Sequence, residues 1–224
     1  MTVKIDTETL PDAKNWLDRL DDPTALEVML QDHGHAIDAV RNGMAQLETA
    51  VTAIVERLRA DDTARIIYAG AGASIRIAVQ DGVELLPTFN WPRKRVAYLV
   101  AGGDKALIES VEDAEDDDGA ARAMVRNYAI KRHDVVLALA ASGRTKFTCT
   151  VLAESKKLGA LAIGIANNPD VPLLANADIA IPILTGGEAL AGSTRLKAAT
   201  AQKICLNMIS TLVMTRLGRV RDGK

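Results

Sequence analysis

The sequence TGGEALAGSTRLKAATAQK, residues 185–203, combines residue types that bind anions. Glycines and hydroxyl side chains precede two cations, Arg195 and Lys197, at the start of a long helical pattern. The first turn of a helix has unpaired backbone N–H groups and the positive end of the helix dipole, and glycine allows a ligand to approach closely. A bound anion is one interpretation of this segment. A capped helix start in solvent, with Ser193 as the N-cap, is the other.

Two further segments place a turn of small residues between an apolar strand pattern and a helix pattern. They are YAGAGASIR, residues 68–76, and LAASGRTKF, residues 139–147. The first resembles a dinucleotide-binding fingerprint, but Ile75 takes the place of the third glycine, so a nucleotide is not favoured. Each segment alone is also explained as a turn with a helix cap. Together, the three segments supply N–H groups, hydroxyls and cations suited to one phosphate group, and we expect a sugar phosphate.

Two acidic positions are candidates for acid–base chemistry. Glu84 lies between Val83 and Leu85, and a carboxyl group with apolar neighbours can have its pKa raised by desolvation, which suits a general acid. A solvent-exposed position at a helix end explains Glu84 equally well. The segment ESVEDAEDDD, residues 109–118, is an acidic run that is mostly solvated by default. The pattern alone does not say which of its members, if any, faces a site.

Five short apolar runs rich in β-branched residues alternate with helical patterns. In chain order they are RIIYAGAGAS, RVAYLVAGG, DVVLALAASG, ALAIGIANN and DIAIPILTGG. Continuous apolar strands separated by helices predict an α/β fold with a parallel sheet covered on both faces. Helices are predicted at 75–80, 105–111, 120–130, 146–158 and about 194–217, the last with Gly218 as its stop. Ligands of such sheets bind outside the carboxyl ends of the strands, where the loops described above lie.

The N-terminal part of the chain has a different pattern. Residues 1 to about 22 are polar and interrupted by Pro11, which indicates an irregular arm. A helical period runs from residue 26 to residue 58, and Gly34 and Gly43 are points where it could bend or break. We therefore divide the chain into an arm with a helix, residues 1–60, and an α/β domain, residues 61–224.

Composition argues against several classes of function. A formal net charge of −2 and an aromatic content of 3% give no reason to expect a nucleic acid or a membrane surface as partner. Cys149 and Cys205 lack metal-ligand spacing and are typical of buried thiols in a reducing compartment. No segment has the pattern of a signal peptide or the apolar length of a membrane span. We expect a cytoplasmic protein that binds a small molecule.

The motifs, taken in chain order, resemble those of the N-acetylmuramic acid 6-phosphate etherases. They are GAGASIR, DGVELLPTF, AGGDKALIESVEDAEDD, DVVLALAASGRTKF, GIANNP and the long GGEALAGSTRLKAATAQKICLNMISTLVMTRLGRV. That family belongs to the sugar isomerase (SIS) domain superfamily, together with the glucokinase regulatory proteins. The resemblance covers residues 65 to 220. It implies a three-layer αβα sandwich around a five-stranded parallel sheet, and a homodimer with its sites near the subunit interface.

The resemblance also implies an activity and the residues that carry it. The activity is a lyase reaction without cofactor or metal, which cleaves the D-lactyl ether of N-acetylmuramic acid 6-phosphate in peptidoglycan recycling. Glu84 falls on the proton donor of the family, and Glu115 falls on its second acidic catalytic residue. The positions that match sugar-phosphate contacts, or lie beside them, are Gly72, Ser74, Arg76, Ser142, Gly143, Arg144, Thr145, Ser193, Thr194, Arg195 and Lys197.

The chain departs from the family pattern at several positions. Ala73 and Ile75 stand where threonine and glycine are usual, and a branched side chain there could narrow the pocket or change its ligand. The sequence ends at Lys224, where the usual enzymes continue into a helical domain, so we expect a short, divergent member or the domain alone. Two other activities stay open. One is a non-catalytic phosphosugar-binding regulator, and the other is a sugar-phosphate aldose–ketose isomerase, which abstracts the same C2 proton.

Overall fold

A computed structural model of the chain describes residues 6–111 and 113–223. These residues form one sheet of five strands, β1 (Ile66–Gly70), β2 (Val96–Val100), β3 (Val135–Leu139), β4 (Leu161–Ala166) and β5 (Ile179–Pro182). All neighbouring strands are parallel, and their order across the sheet is β2-β1-β3-β4-β5. The predicted five-stranded parallel sheet is therefore confirmed.

The strands are continuous apolar runs because helices cover both faces of the sheet. Every residue of β1, β3 and β4 is buried. Successive residues of a strand point to opposite faces, so that Val135 and Leu137 of β3 belong to one hydrophobic core and Val136 belongs to the other. A strand that contributes to two cores has no polar side, which is why alternation is missing from the sequence pattern.

The helices pack on the sheet as two layers. They are α1 (Asp22–Asn42), α2 (Met44–Ala60), α3 (Gly72–Phe89), α4 (Asp118–Asn127), α5 (Lys146–Lys157), α6 (Pro172–Ala175) and α7 (Lys197–Arg216). Helices α2, α3 and α7 contribute side chains to one core, and α4, α5 and α6 contribute to the other. This arrangement is the expected three-layer αβα sandwich. None of the helices within the described ranges combines the length and the hydropathy needed to cross a membrane.

The helical period at residues 26–58 forms two helices rather than one. Gly43 lies between α1 and α2, and a Cβ atom at this position would lie 3.0 Å from Cδ1 of Ile183. Glycine therefore allows the junction of the two helices to approach the end of β5. Gly34, in contrast, stays inside α1 with open space around it. The division of the chain at residue 60 stays a prediction.

One predicted helix is wrong, and one short helix was not predicted. Residues 105–111 do not form an α-helix; the chain makes a 3₁₀ turn over Asp104–Leu107, after Gly102 and Gly103 adopt positive φ angles of 80° and 72°. The single turn of α6 has too short a pattern to detect. The remaining predicted helices are present as α3, α4, α5 and α7, and Gly218 follows α7 with a φ of 75°.

The N-terminal arm is irregular, as predicted, but it is packed against the domain. It contains 3₁₀ turns over Asp6–Glu8, Ala13–Asn15 and Leu17–Arg19. The carbonyl oxygen of Thr9 lies so close to Gly187 that a Cβ atom there would be 2.6 Å from it. The arm therefore runs over the loop that precedes α7.

Candidate functional site

The strand order reverses at β1, which has β2 on one side and β3 on the other. Helix α3, after β1, packs on one face of the sheet, and α5, after β3, packs on the opposite face. The two connecting loops therefore diverge and leave a crevice at the carboxyl edge, which is where open α/β sheets bind ligands. A cavity of about 420 Å³ lies there.

Three kinds of segment line this cavity. The first are the loops after β1 and β3, through residues 71–74, residues 140–142, Arg144 and Thr145; the predicted contact Gly143 does not line the cavity. The second is the 3₁₀ turn Ala114–Asp116, through Glu115 and Asp116. The third comes from distant parts of the chain, with Thr7 and Glu8 of the arm and Gly192 and Thr194 of the loop before α7.

The loop after β1 directs the first turn of α3 into the cavity. Gly72 begins this helix with a φ of 53°, and Ser74 lines the cavity with little exposure to solvent. The N-cap residue Ala71 has no side chain that could cap the helix. The N–H groups of the first turn are therefore oriented to receive an anion.

The loop after β3 repeats this arrangement at α5. The hydroxyl oxygen of Ser142 accepts a hydrogen bond from the N–H of Arg144 at 3.2 Å. Gly143 has a φ of 66°, and a Cβ atom there would lie 2.1 Å from Cγ2 of Val171, so only glycine fits. The N-cap residue Thr145 makes no capping hydrogen bond and lines the cavity. Two uncapped helix N-termini and the three hydroxyl side chains of these two loops therefore converge on one space.

The third predicted loop does not present a free helix end. The carboxylate of Glu188 accepts hydrogen bonds from the N–H groups of Lys197 and Ala198, each at 2.9 Å, in the first turn of α7. Burial raises the pKa of Glu188, although the two N–H groups act in the opposite direction. The anion that the sequence pattern predicts at this helix N-terminus is thus a side chain of the protein.

Lys197 is bound within the protein, where the sequence predicted a phosphate contact. Its ammonium group is 2.6 Å from Oδ1 of Asp32 on α1 and donates to the carbonyl of Gly187 at 2.6 Å. The residue is only 3% exposed. Of the other predicted contacts in this loop, Thr194 lines the cavity, whereas Ser193 and the exposed Arg195 do not.

Arg76 and Glu84 also lie away from this cavity. The guanidinium group of Arg76 donates to the carbonyls of Ala106 at 2.9 Å and Glu109 at 3.0 Å, so it joins α3 to the turn after β2. Glu84 is exposed near the C-terminal end of α3. At a rise of about 1.5 Å per residue it is about 18 Å from Gly72 along the helix axis.

Glu115 is the predicted catalytic residue that the fold brings to the cavity. It also lines an adjoining cavity of about 270 Å³, so it stands between the two spaces. Its neighbour Asp116 is 3.7 Å from the ammonium group of Lys146, at the start of α5. Glu112, which the sequence pattern places on a common face with Glu115 if the segment is helical, lies outside the described residues.

The two residues of the first loop that depart from the family pattern, Ala73 and Ile75, differ in whether they line the cavity. Ile75 is completely buried in the core beneath α3 and does not line the cavity, so the expected narrowing by its branched side chain does not occur. Ala73 does line the cavity. The absent hydroxyl at this position is therefore the departure that reaches the site.

Sequence reasoning missed two contributions to this region. Glu188 was overlooked because a glutamate after two glycines resembles a solvated loop. Thr7 and Glu8 were overlooked because the arm has no periodic pattern. The available signal for the arm was the pair Asn167 and Asn168 at the end of an apolar strand, since buried amides need partners.

Across residues 6–111 and 113–223, no three His, Cys, Asp or Glu side chains come together as metal ligands. Cys149 and Cys205 are both free thiols. Burial raises the pKa of Cys149 to about 11 and that of Cys205 to about 12, so both are protonated at neutral pH.

The sandwich and its crevice define an SIS-class domain with a site suited to a phosphorylated sugar. The model of the glucokinase regulatory protein N-terminal SIS domain matches residues 46–156, and that of the SIS domain matches residues 109–212. The chain belongs to the N-acetylmuramic acid 6-phosphate etherase family, as its motifs indicate.

Two relatives illustrate the extent of this match. The chain is 43% identical to the N-acetylmuramic acid 6-phosphate etherase of Deinococcus radiodurans over 91% of its own length and 66% of that protein. It is 41% identical to the enzyme of the same name from Shouchella clausii over 98% of its own length and 74% of that protein. The chain therefore spans about two thirds to three quarters of the length of these relatives.

Solved structures agree with the fold. A putative sugar-phosphate isomerase from Listeria monocytogenes has a TM-score of 0.66 at 18% identity, covering 89% of this chain and 93% of that one. A putative phosphosugar isomerase involved in capsule formation, from Bacteroides fragilis, has a TM-score of 0.65 at 18% identity, covering 91% of this chain and 99% of that one. At such identities the likeness shows the SIS fold alone.

Proposed function

We propose that this chain is a cofactor-independent carbon–oxygen lyase that converts N-acetylmuramic acid 6-phosphate to N-acetylglucosamine 6-phosphate and D-lactate. The observation that carries this proposal is the cavity between β1 and β3, where two uncapped helix N-termini meet serine and threonine hydroxyls and the carboxylate of Glu115. It occurs in a chain of the etherase family. Peptidoglycan recycling in the cytoplasm is the process that this reaction serves.

The phosphate group of the substrate binds between the first turns of α3 and α5. The N–H groups and positive dipole ends of both helices favour an anion there. The hydroxyls of Ser74, Ser142 and Thr145 donate to its oxygens, and Arg144 adds a positive charge at the rim. The sugar then extends toward Glu115.

The reaction is an elimination followed by the addition of water. A base removes the C2 proton of the ring-opened sugar, the C–H electron pair forms a C2–C3 double bond, and the C3–O bond breaks as an acid protonates the lactate oxygen. Water then adds its hydroxyl to C3 and a proton returns to C2. Two carboxyl groups are sufficient, one as base and one as acid. Glu115 is one of them, and Glu84 is the proton donor.

Glu84 reaches the site from a second copy of the chain. It lies about 18 Å from Gly72 along α3, which is too far to act in the cavity at the start of its own helix. The same turn of α3 carries two exposed apolar residues, Val83 and Leu86. A carboxyl group in an apolar surface that becomes buried has the desolvated surroundings that suit a general acid.

We place the dimer face on exposed apolar side chains of α3 and of neighbouring helices. Helix α7 packs against both α1 and α3. Each of the three helices carries exposed apolar side chains, which are Leu26, Leu30 and Ile37 on α1, Val83 and Leu86 on α3, and Met208 and Leu212 on α7. Exposed apolar patches of this kind mark interaction surfaces. A homodimer that covers this face brings the sites near the interface.

The activity is tested with N-acetylmuramic acid 6-phosphate in deuterated water. Release of D-lactate together with deuterium at C2 of the product, both followed by NMR, supports the lyase and its C2 proton abstraction. Deuterium exchange with formation of a ketose phosphate would instead support an isomerase. Absence of both reactions, with a melting temperature raised by the sugar phosphate, would support a regulator.

The regulator is the second candidate because of Ala73. This residue lines the cavity without the hydroxyl that is usual at its position, and the model of a regulatory protein domain matches residues 46–156. The retention of Glu84 and Glu115 favours the enzyme, since a phosphosugar sensor needs no acid–base pair.

The contribution of Glu84 from a second copy is tested by complementation. Glu84→Gln and Glu115→Gln are each expected to lose about a hundredfold or more in rate. When the two inactive proteins are mixed and allowed to exchange subunits, a heterodimer contains one intact site, and about a quarter of the wild-type activity should return in a symmetric dimer. No recovery despite demonstrated exchange would show that both carboxyl groups act within one copy.

A further inference from the structure

Thr7 and Glu8 form one wall of the cavity, although they are far in sequence from the loops that form the rest of it. Thr7 is 1% exposed. Its N–H donates to Oδ1 of Asn168 at 3.1 Å, and Nδ2 of Asn168 donates back to the Thr7 hydroxyl at 2.9 Å. The N–H of Gly192 donates to the carbonyl of Thr7 at 3.3 Å. The arm is therefore anchored on both sides at this residue.

Asn168 joins this wall to the proposed phosphate loop. Its Nδ2 also donates to the carbonyl of Ala141 at 3.0 Å, and Ala141 precedes Ser142. The side chain is buried, with 1% exposure. The side-chain amide of Asn168 thus links the arm to the loop after β3. Its two hydrogen bonds with Thr7 fix the position of the backbone just before Glu8.

Glu8 follows this anchor and lines the cavity with its side chain exposed. An ionised carboxylate accepts hydrogen bonds and donates none. It therefore repels a phosphate group but forms strong, charge-assisted hydrogen bonds with hydroxyl and amide N–H donors. Glu115 and Asp116 are the other carboxylates that line the cavity. The three carboxylates together suit a ligand that has an anionic group at one end and hydrogen-bond donors along the rest of its length.

We propose that Glu8 is a sugar-recognition residue, which accepts hydrogen bonds from the hydroxyl or acetamido N–H groups of the bound sugar phosphate. Asn168 acts as a positioning residue that holds Glu8 there through Thr7. The identity of the sugar rests on the proposed function. The role of Glu8 in recognising a phosphorylated polyol rests only on the residues that line the cavity. Glu8 distinguishes a sugar phosphate from a phosphate ion because it contacts the sugar alone.

The test compares the binding of N-acetylglucosamine 6-phosphate and inorganic phosphate by calorimetry. Glu8→Ala should raise the Kd for the sugar phosphate by about 10- to 100-fold, the range for hydrogen bonds to a charged group. The Kd for inorganic phosphate should not rise, because the loss of a negative charge from the cavity does not weaken the binding of an anion. Glu8→Gln keeps one acceptor oxygen and should recover part of the affinity. Glu48→Ala, which replaces an exposed glutamate on α2, is the matched control.

The positioning role has its own variant. Thr7→Val keeps the buried volume and removes the hydroxyl that Asn168 contacts, so it should raise the Kd for the sugar phosphate in the same direction as Glu8→Ala but less. Unchanged sugar-phosphate affinity in Glu8→Ala, or an equal loss of affinity for inorganic phosphate, would overturn the proposal. These measurements need no turnover, so a wild-type protein that releases no D-lactate would refute the etherase and leave the role of Glu8 intact.

Discussion

Ser142 lies where β3 has ended and α5 has not yet begun, with its hydroxyl beside the uncapped first turn of that helix. Ser142→Ala should raise the Kd for N-acetylglucosamine 6-phosphate about tenfold, because one donor to the phosphate is lost while the backbone N–H groups stay. Calorimetry measures this change. Ser193→Ala is the control, since Ser193 matches a family contact but does not line the cavity. Equal losses in the two variants would contradict the assigned site.

Glu188 gives a second prediction for a single residue. In Glu188→Gln, one of the oxygens that accept from Lys197 and Ala198 becomes an NH₂ group, which places two donors against each other at the start of α7. The free energy of unfolding should fall by about 1–3 kcal/mol. Urea unfolding measures it, with Glu48→Gln as the exposed control. Wild-type stability in Glu188→Gln would mean that the helix end does not depend on this carboxylate.

At the scale of elements, the site depends on how closely the loop after β3 packs against the segment before α6. Gly143→Ala introduces a Cβ atom at 2.1 Å from the Val171 side chain, in addition to the strain of a φ of 66°. We expect lower stability and a sugar-phosphate affinity reduced at least as much as in Ser142→Ala. Thermal unfolding and calorimetry together measure both effects.

Gly159→Ala is the matched control for backbone strain. Gly159 also has a positive φ, of 86°, but its nearest contact would be the Arg132 side chain at 3.4 Å, and it lies at the C-terminal end of α5, away from the cavity. It should cost about 1 kcal/mol or somewhat more in stability and leave binding unchanged. If Gly143→Ala behaved in the same way, the steric argument for the loop would fail.

At the scale of the whole molecule, the proposed dimer face of α1, α3 and α7 predicts the oligomeric state. Leu30→Glu places a charge on this face, which should convert a dimer to a monomer and remove lyase activity while the far-UV circular dichroism stays that of the wild type. Analytical ultracentrifugation measures the mass. Leu158→Glu, at an exposed apolar position after α5, is the control. A wild-type protein that is already monomeric would contradict the proposed dimer.

The buried thiols predict how global stability depends on pH. Burial raises the pKa of Cys205 to about 12, whereas an unfolded thiol ionises at about 8.5. Between these values the unfolded chain holds fewer protons here than the folded chain, so the free energy of unfolding falls as pH rises. Cys205→Ala should reduce this alkaline slope by up to about 1.4 kcal/mol per pH unit. Urea unfolding across the alkaline range measures it, and equal slopes would refute the linkage.

Much of the fold follows from the sequence because its elements have distinct local patterns. Strands β1, β3 and β4 are buried on both faces, which requires apolar residues throughout and makes the runs visible. The residues after such strands must lie at the carboxyl edge of a parallel sheet, so the loops with Ser74 and Ser142 could be assigned to one site. The prediction of a helix at 105–111 is wrong because this mostly exposed segment is held by contacts such as those from Arg76, which have no periodicity.

The sequence by itself determined the fold class, the family and the two loops that meet at the crevice, because strand burial and turn chemistry are local. Only the tertiary structure decided which groups share the cavity. The glycine- and hydroxyl-rich sequence before α7 is equally compatible with a bound phosphate and with a carboxylate of the protein. Folding places Glu188 at the start of α7 and Asp32 beside Lys197. The same is true of Thr7, which contacts a residue 161 positions away through a buried amide. Such long-range pairings depend on the packing of distant segments, and no periodicity in the chain encodes them.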